Sequence, residues 1–138
     1  MISYTNQIKI VMDGVEKLIE DEFNIPVIDK HIGNESIVIT PGEDALIDHL
    51  SFGMVRDYSL EIVYTMSSGG GFKRIKDHLT NRAERIKNLL FNNSNYSPSG
   101  TYKWHDGRSE SISYEQSEDD PDLWMATISF ICTVMEVT

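Results

Sequence analysis

Apolar residues recur at steps of three or four in two segments of the chain, and this spacing predicts two amphipathic helices. The first helix spans residues 4–23, with Ser3 or Thr5 as the candidate N-cap. It ends before Pro26, because the residue that precedes a proline is displaced from helical geometry. The second helix spans residues 72–91 and carries several basic residues outside its apolar stripe.

Apolar and polar residues alternate in other parts of the chain, which predicts β-strands. The firmest strand is 58–66 and the longest is 124–137, with shorter strands at 27–29, 36–40 and 111–116. One parity of the longest strand is almost entirely apolar and should face the core. The other parity mixes apolar and polar residues, so we expect it to be half exposed or covered by another subunit.

Turn-forming residues separate these elements. Pro41 and Gly42 predict a turn, followed by a connecting segment at 43–53 that contains at most one helical turn. Residues 92–100 predict a loop, and residues 117–122 predict an acidic loop. The resulting order predicts an α+β domain, in which a mixed or antiparallel sheet carries two amphipathic helices packed on one face.

The 138 residues suffice for a single domain, 1–138, that can bury a core without disulfides. Cys132 is the one cysteine, which excludes an internal disulfide and fits a reducing compartment. No run of 18 apolar residues is present, and the first residues lack the pattern of a signal peptide. We therefore expect no membrane span, and either a cytosolic protein or one made in a cytosol and assembled elsewhere.

The net charge is −10, from 22 acidic and 12 basic residues. This balance argues against a tight sequence-independent DNA-binding protein, because such proteins need Lys and Arg to displace counterions from phosphates. Residues 73–87 form the only candidate basic patch. The acidic surplus can serve solubility, or it can line a passage through which nucleic acid slides without adhering.

No pattern of residues predicts catalysis, a cofactor or a metal. The junction "SSGGGFKRIK" could cradle a phosphate through backbone N–H groups, but it matches neither the P-loop nor the dinucleotide pattern and equally predicts a flexible link. The four histidines lack the spacing of metal ligands, and residues 118–122 lack that of a calcium loop. Cys132 lies on the apolar parity of its strand, and no nucleophile-elbow motif is present. We therefore expect a protein that is not an enzyme.

The layout of the chain resembles that of the tail terminator proteins of long-tailed bacteriophages. An amphipathic helix leads into "IPVI", the strand "YSLEIVYTM" follows, and a polar link enters a helix containing "HLTNRAERIKNLL". A late "YKWHDGR" loop precedes the last strands, which end in "ATISFICTVMEV". The resemblance covers most of the chain.

The resemblance implies a virion protein of the tail or neck, assembled in the host cytoplasm, that forms a ring, typically a homohexamer. Such a ring caps the head-proximal end of the tail tube and contacts the tail tube protein and the head–tail connector protein. Genomic DNA passes through its centre without specific binding. Two alternatives stay open, namely another neck protein such as a head-closure protein, and a small phosphate- or nucleotide-binding domain that uses the glycine junction.

A ring of identical subunits joins two different surfaces of each subunit, so each subunit is expected to carry complementary surfaces. The basic helix and the acidic loop of a neighbour form one candidate pair. The aromatic residues of the late loop either anchor a partner or fold back over the end of the second helix. The mixed parity of the last strand is a further candidate. The candidate interface residues are Lys73, Arg74, Arg82, Arg85, Glu118, Asp119, Asp120, Tyr102, Trp104, Met125, Ile131 and Met135.

Overall fold

The computed structural model describes residues 1–68, 74–100 and 102–137, which contain two helices and five strands. The strands form one sheet in the order β1-β2-β5-β4-β3, and all neighbouring strands are antiparallel. This arrangement confirms the predicted α+β class. The elements are α1 Gln7–Glu22, β1 Glu35–Leu50, β2 Gly53–Ser67, α2 Ile75–Asn92, β3 Tyr96–Ser99, β4 Tyr102–Gln116 and β5 Leu123–Val137.

The core lies between the two helices and one face of the sheet. On β5, the apolar parity is buried from Ala126 to Val134 and Trp124 is half buried, whereas the opposite parity stays half buried or exposed. This split confirms the prediction from alternation. The cluster of buried residues joins Val11, Val15 and Ile19 of α1 with Leu79, Ala83, Ile86 and Leu90 of α2 and with Leu60, Ile62, Tyr64, Ile128 and Phe130 of the sheet.

Both predicted helices are present, and the start of the first is corrected. The N-cap of α1 is Asn6, whose side-chain oxygen accepts a hydrogen bond from the Lys9 backbone N–H at 3.2 Å, so the predicted caps Ser3 and Thr5 were wrong. The predicted start of the second helix at 72 lies outside the described residues, and α2 is described from Ile75. Neither described helix has the length and apolar character needed to cross a membrane.

The predicted turn at Pro41–Gly42 and the connecting segment after it were wrong, because β1 continues through both. β1 and β2 pair from Glu35↔Met66 to Leu50↔Gly53, with irregular register between Pro41 and Asp44. β1 is an edge strand, where the missing N–H of a proline is tolerated. The predicted strand at 27–29 reduces to a single parallel bridge between Val27 and Ile37.

The predicted loop at 92–100 was also wrong, since it contains β3, and β4 begins at Tyr102 rather than near residue 111. β4 shifts register against β5 between His105 and Arg108 and again between Ser109 and Ser111. Each bulge inserts an extra residue and inverts the inward and outward alternation that follows it. A strand with two bulges therefore lacks the regular period from which strands are predicted.

Candidate assembly surfaces

Arg85 of α2 binds the end of α1 within the same subunit. Its Nε donates to Glu22 Oε1 and its Nη2 donates to the Glu22 backbone oxygen, both at 3.0 Å. Its guanidinium carbon lies 4.5 Å from the centre of the Phe23 ring, a cation–π distance, and that of Arg82 lies 5.8 Å from the same ring. Both arginines therefore already have partners inside the subunit, and their predicted pairing with the acidic loop of a neighbour stays a prediction.

Glu35, at the start of β1, is the centre of a half-buried polar cluster that the sequence did not reveal. Its Oε2 accepts a hydrogen bond from the Tyr64 hydroxyl at 2.6 Å and lies 3.4 Å from Arg82 Nε and 3.6 Å from His78 Nε2. Burial raises the pKa of Tyr64, and the hydrogen bond to Glu35 raises it further. The tyrosine hydroxyl therefore stays protonated at neutral pH and remains a donor to Glu35.

We expect Glu35→Ala to lower the free energy of unfolding by ~1–2 kcal/mol, because it leaves the Tyr64 hydroxyl without its acceptor and Arg82 without its carboxylate. Glu22→Ala is the matched control. It removes a carboxylate that pairs with an arginine at a more exposed site, so its cost should stay below about 1 kcal/mol. Urea denaturation of both variants measures the difference, and equal losses would contradict a special role for Glu35.

The remaining charged candidates that the structure describes are exposed. Arg74 lies 3.5 Å from Asp77 in a solvent-exposed pair, and Lys73 lies outside the described residues. The acidic loop between β4 and β5 is confirmed. Its residues Glu118, Asp119 and Asp120 are exposed.

The two aromatic candidates have different environments. Trp104 is fully buried, and its Nε1 donates to the Asn93 backbone oxygen at 3.0 Å, so it folds back over the end of α2 rather than anchoring a partner. Tyr102 is half buried, and burial raises its pKa to about 12. It lines a cavity of about 370 Å³ at the ends of β4 and β5, together with Gln7 and Lys103.

The apolar candidates on β5 share the sheet face opposite the core. Met125 and Ile131 are half buried and Met135 is exposed. Their partners on β2 are Thr65, Ser59 and Val55, so this face is a mixture of small polar and apolar side chains. In the described residues both helices pack on the other face, but Thr65 on this one is buried, so this face is only partly open.

Sequence reasoning missed an apolar surface at the tip of the β1–β2 hairpin. Leu46 and Ile47 near the end of β1 and Phe52 in the turn are more than half exposed. The exposed Val137 at the end of β5 lies opposite Gly53, beside this tip. The apolar pair at 46–47 is the signal for this surface in the sequence, but the turn residues before it favour a connecting segment at 43–53.

No group of His, Cys, Asp or Glu in the described residues could hold a metal ion. The glycine junction at 69–71 lies outside those residues, so the phosphate-cradle hypothesis stays untested.

The arrangement defines an α+β protein with a single antiparallel sheet backed by two helices. No protein-family model matches the sequence, and no curated protein matches it. Among solved structures, the chain is similar to a chain of the virion of a native gene transfer agent particle, with a TM-score of 0.74 and 8% identity. The match covers 96% of this chain and 99% of that chain. At this identity the likeness shows a shared fold.

Proposed function

We propose that this protein is a structural virion component, a tail terminator whose ring caps the head-proximal end of a tail tube and joins it to the head connector. The observation that carries the proposal is the fold shared with a virion chain over nearly the whole length of both chains. The architectural resemblance of the sequence to tail terminators supports the same role. In this role the protein acts in the neck of the virion after assembly in the host cytoplasm.

The charge of the chain fits a ring around DNA. Each subunit carries a net charge of −10, so a ring of six carries about −60. A protein that neutralises few phosphates releases few counterions and gains little affinity for DNA. DNA can therefore pass through such a ring without being retained by it. The partly open face of the sheet and the hairpin tip supply surfaces for the protein contacts that a ring needs.

The proposal predicts that the purified protein is a ring and that the ring binds the ends of tail tubes. Light scattering coupled to size exclusion should give the mass of a closed oligomer, with six 15.7-kDa subunits as the expected number. Negative-stain images should show rings alone and, after mixing, rings at one end of purified tail tubes. A protein that stays monomeric at high concentration and with tubes would contradict the proposal.

A head-closure protein of the same neck is the second candidate, because the shared virion fold supports it equally. The same mixing experiment separates the two roles. A tail terminator binds tube ends, whereas a head-closure protein binds DNA-filled heads and leaves tube ends bare.

A further inference from the structure

Building on the proposed ring, we propose that the hairpin tip of each subunit docks in a cleft between α2 and β4 of its neighbour. The docking part of the hairpin tip consists of Leu46 and Ile47, and the cleft is lined by Lys87, Asn88, Phe91, Arg108 and Ser109. The occupant of the cleft is therefore a second copy of this chain.

The hairpin tip has the features of an inserting element. Leu46 is 51% exposed and Ile47 58%. Leu46 pairs with Arg56 and Asp48 pairs with Val55, so Ile47 is an extra residue with no partner on β2. Such a bulge redirects its side chain away from the regular ladder. The exposed apolar side chains gather at the far end of the hairpin, where a neighbour can reach them.

The cleft offers apolar surface. It has a volume of about 380 Å³, and Phe91, which lines it, is 75% exposed. Phe91 is the penultimate residue of α2 and follows the buried Leu90, so its own side chain lies on the exposed side of the helix end. A neighbouring apolar side chain in the cleft would remove this ring from water.

Charge supports the same pairing. The charged side chains lining the described cleft are the cations Lys87 and Arg108, whereas Asp48 follows Ile47 in the hairpin and the cation Arg56 opposite Leu46 is already paired with Asp44. The two cations of the cleft now pair within the subunit, across exposed contacts that contribute little to stability and can be exchanged for a neighbour's carboxylate. Those present partners are Glu84 for Lys87, and Asp106 and Glu110 for Arg108.

The sheet topology places the two surfaces on opposite sides of the subunit. The hairpin contains the edge strand β1, whereas the cleft is formed against β4, on the other side of the central strands β2 and β5. One subunit can therefore use its hairpin and its cleft at the same time. A head-to-tail contact of this kind generates a closed ring when its rotation closes.

Engineered cysteines test the contact directly. The native Cys132 is buried and burial raises its pKa to about 12, so it does not compete at pH 8. Mixing Ile47→Cys protein with Asn88→Cys protein should give a disulfide-linked dimer on mild oxidation, and neither variant should cross-link alone, since Asn88 is an exposed residue of the cleft. A chain carrying both substitutions should give a ladder on a non-reducing gel, ending at the ring number. The matched control is Ser113→Cys, an exposed position on β4 outside the cleft, which should not cross-link to Ile47→Cys.

The outcomes separate this contact from the proposed function. If unmodified protein forms rings but the Ile47→Cys and Asn88→Cys pair does not cross-link, the contact is overturned and the ring stands. If Ile47→Cys cross-links to itself, the contact is isologous and the proposal is overturned. If the unmodified protein is a monomer, the ring fails and the contact fails with it.

A second variant tests the contact without disulfide chemistry. Ile47→Lys should raise the subunit concentration needed for ring assembly at least tenfold, because it places a cation against Lys87 and Arg108. Ile32→Lys is the matched control, since Ile32 is 60% exposed outside both surfaces, and it should leave assembly unchanged. Equal effects of the two substitutions would overturn the contact.

Discussion

Replacing Trp104 with alanine is expected to lower the free energy of unfolding by about 3–5 kcal/mol, the range for deleting a large aromatic side chain from a core. Trp104 is fully buried, and its ring centre lies 5.0 Å from that of Tyr96 and 5.8 Å from that of Phe130. Its Nε1 satisfies the Asn93 backbone oxygen at the end of α2. One side chain therefore joins β4, β5 and the end of a helix. Urea denaturation, monitored by circular dichroism, measures the decrease in the free energy of unfolding.

Two further variants separate the parts of this effect. Trp104→Phe keeps an aromatic ring but removes the hydrogen bond, so it should cost less than the alanine variant. Trp124→Ala removes the other tryptophan from a half-buried site near the acidic loop, so it should lower the free energy of unfolding by less than Trp104→Ala does. A loss below about 1 kcal/mol for Trp104→Ala would contradict the central packing role of this residue.

The sequence predicted the elements whose periodicity is unbroken. β2 and β5 pair residue by residue from Gly53↔Val137 to Ser67↔Leu123, and neither has a register shift against the other. Their apolar residues therefore keep one parity, which is the signal that alternation provides. α1 was predicted for the same reason, since Val11, Val15 and Ile19 keep helical spacing and are fully buried.

The elements that the sequence did not predict contain bulges and irregular segments, which the periodicity of the sequence does not show. In β1, Pro41 and Gly42 carry the residue types of a turn, yet Ser59 of the neighbouring strand stabilises the irregular segment by accepting a hydrogen bond from the Glu43 backbone N–H at 2.6 Å. This contact joins residues 16 positions apart, so local propensity does not contain it. In β4, Asp106 adopts a left-handed φ of 52°, and this residue interrupts the regular alternation of the strand.

The candidate interface residues, too, were predicted only in part. Charge in the sequence correctly identified a basic helix and an acidic loop, but it could not show that Arg82 and Arg85 approach Glu35 and Glu22 of the same subunit. Reversing these arginines would disturb the packing of α2 as well as any contact with a neighbour. Their substitution is therefore a poor test of assembly, and substitutions at the exposed Ile47 are a better one.

Gly14→Leu is expected to lower the free energy of unfolding by ~3 kcal/mol, and even Gly14→Ala should be destabilising. Replacing a glycine by alanine inside an exposed helix normally stabilises it by about 1 kcal/mol. Here a Cβ at position 14 would lie 2.7 Å from Pro98 Cβ and 2.8 Å from an atom of the Trp104 ring. Both neighbours are rigid rings on the sheet, Pro98 half buried on β3 and Trp104 fully buried on β4, so the added atom must push α1 away from these strands.

The sign of the Gly14→Ala effect distinguishes close packing from helix propensity. Lys17→Ala in the same helix is the matched control, because Lys17 is exposed and its substitution should change stability by less than about 0.5 kcal/mol. In a double variant of Gly14→Ala with Trp104→Phe, the free energy of unfolding should fall by less than the sum of the two single losses, since the smaller ring leaves room for the methyl group. A stabilised Gly14→Ala protein would show that α1 does not approach the sheet as closely as the structure describes.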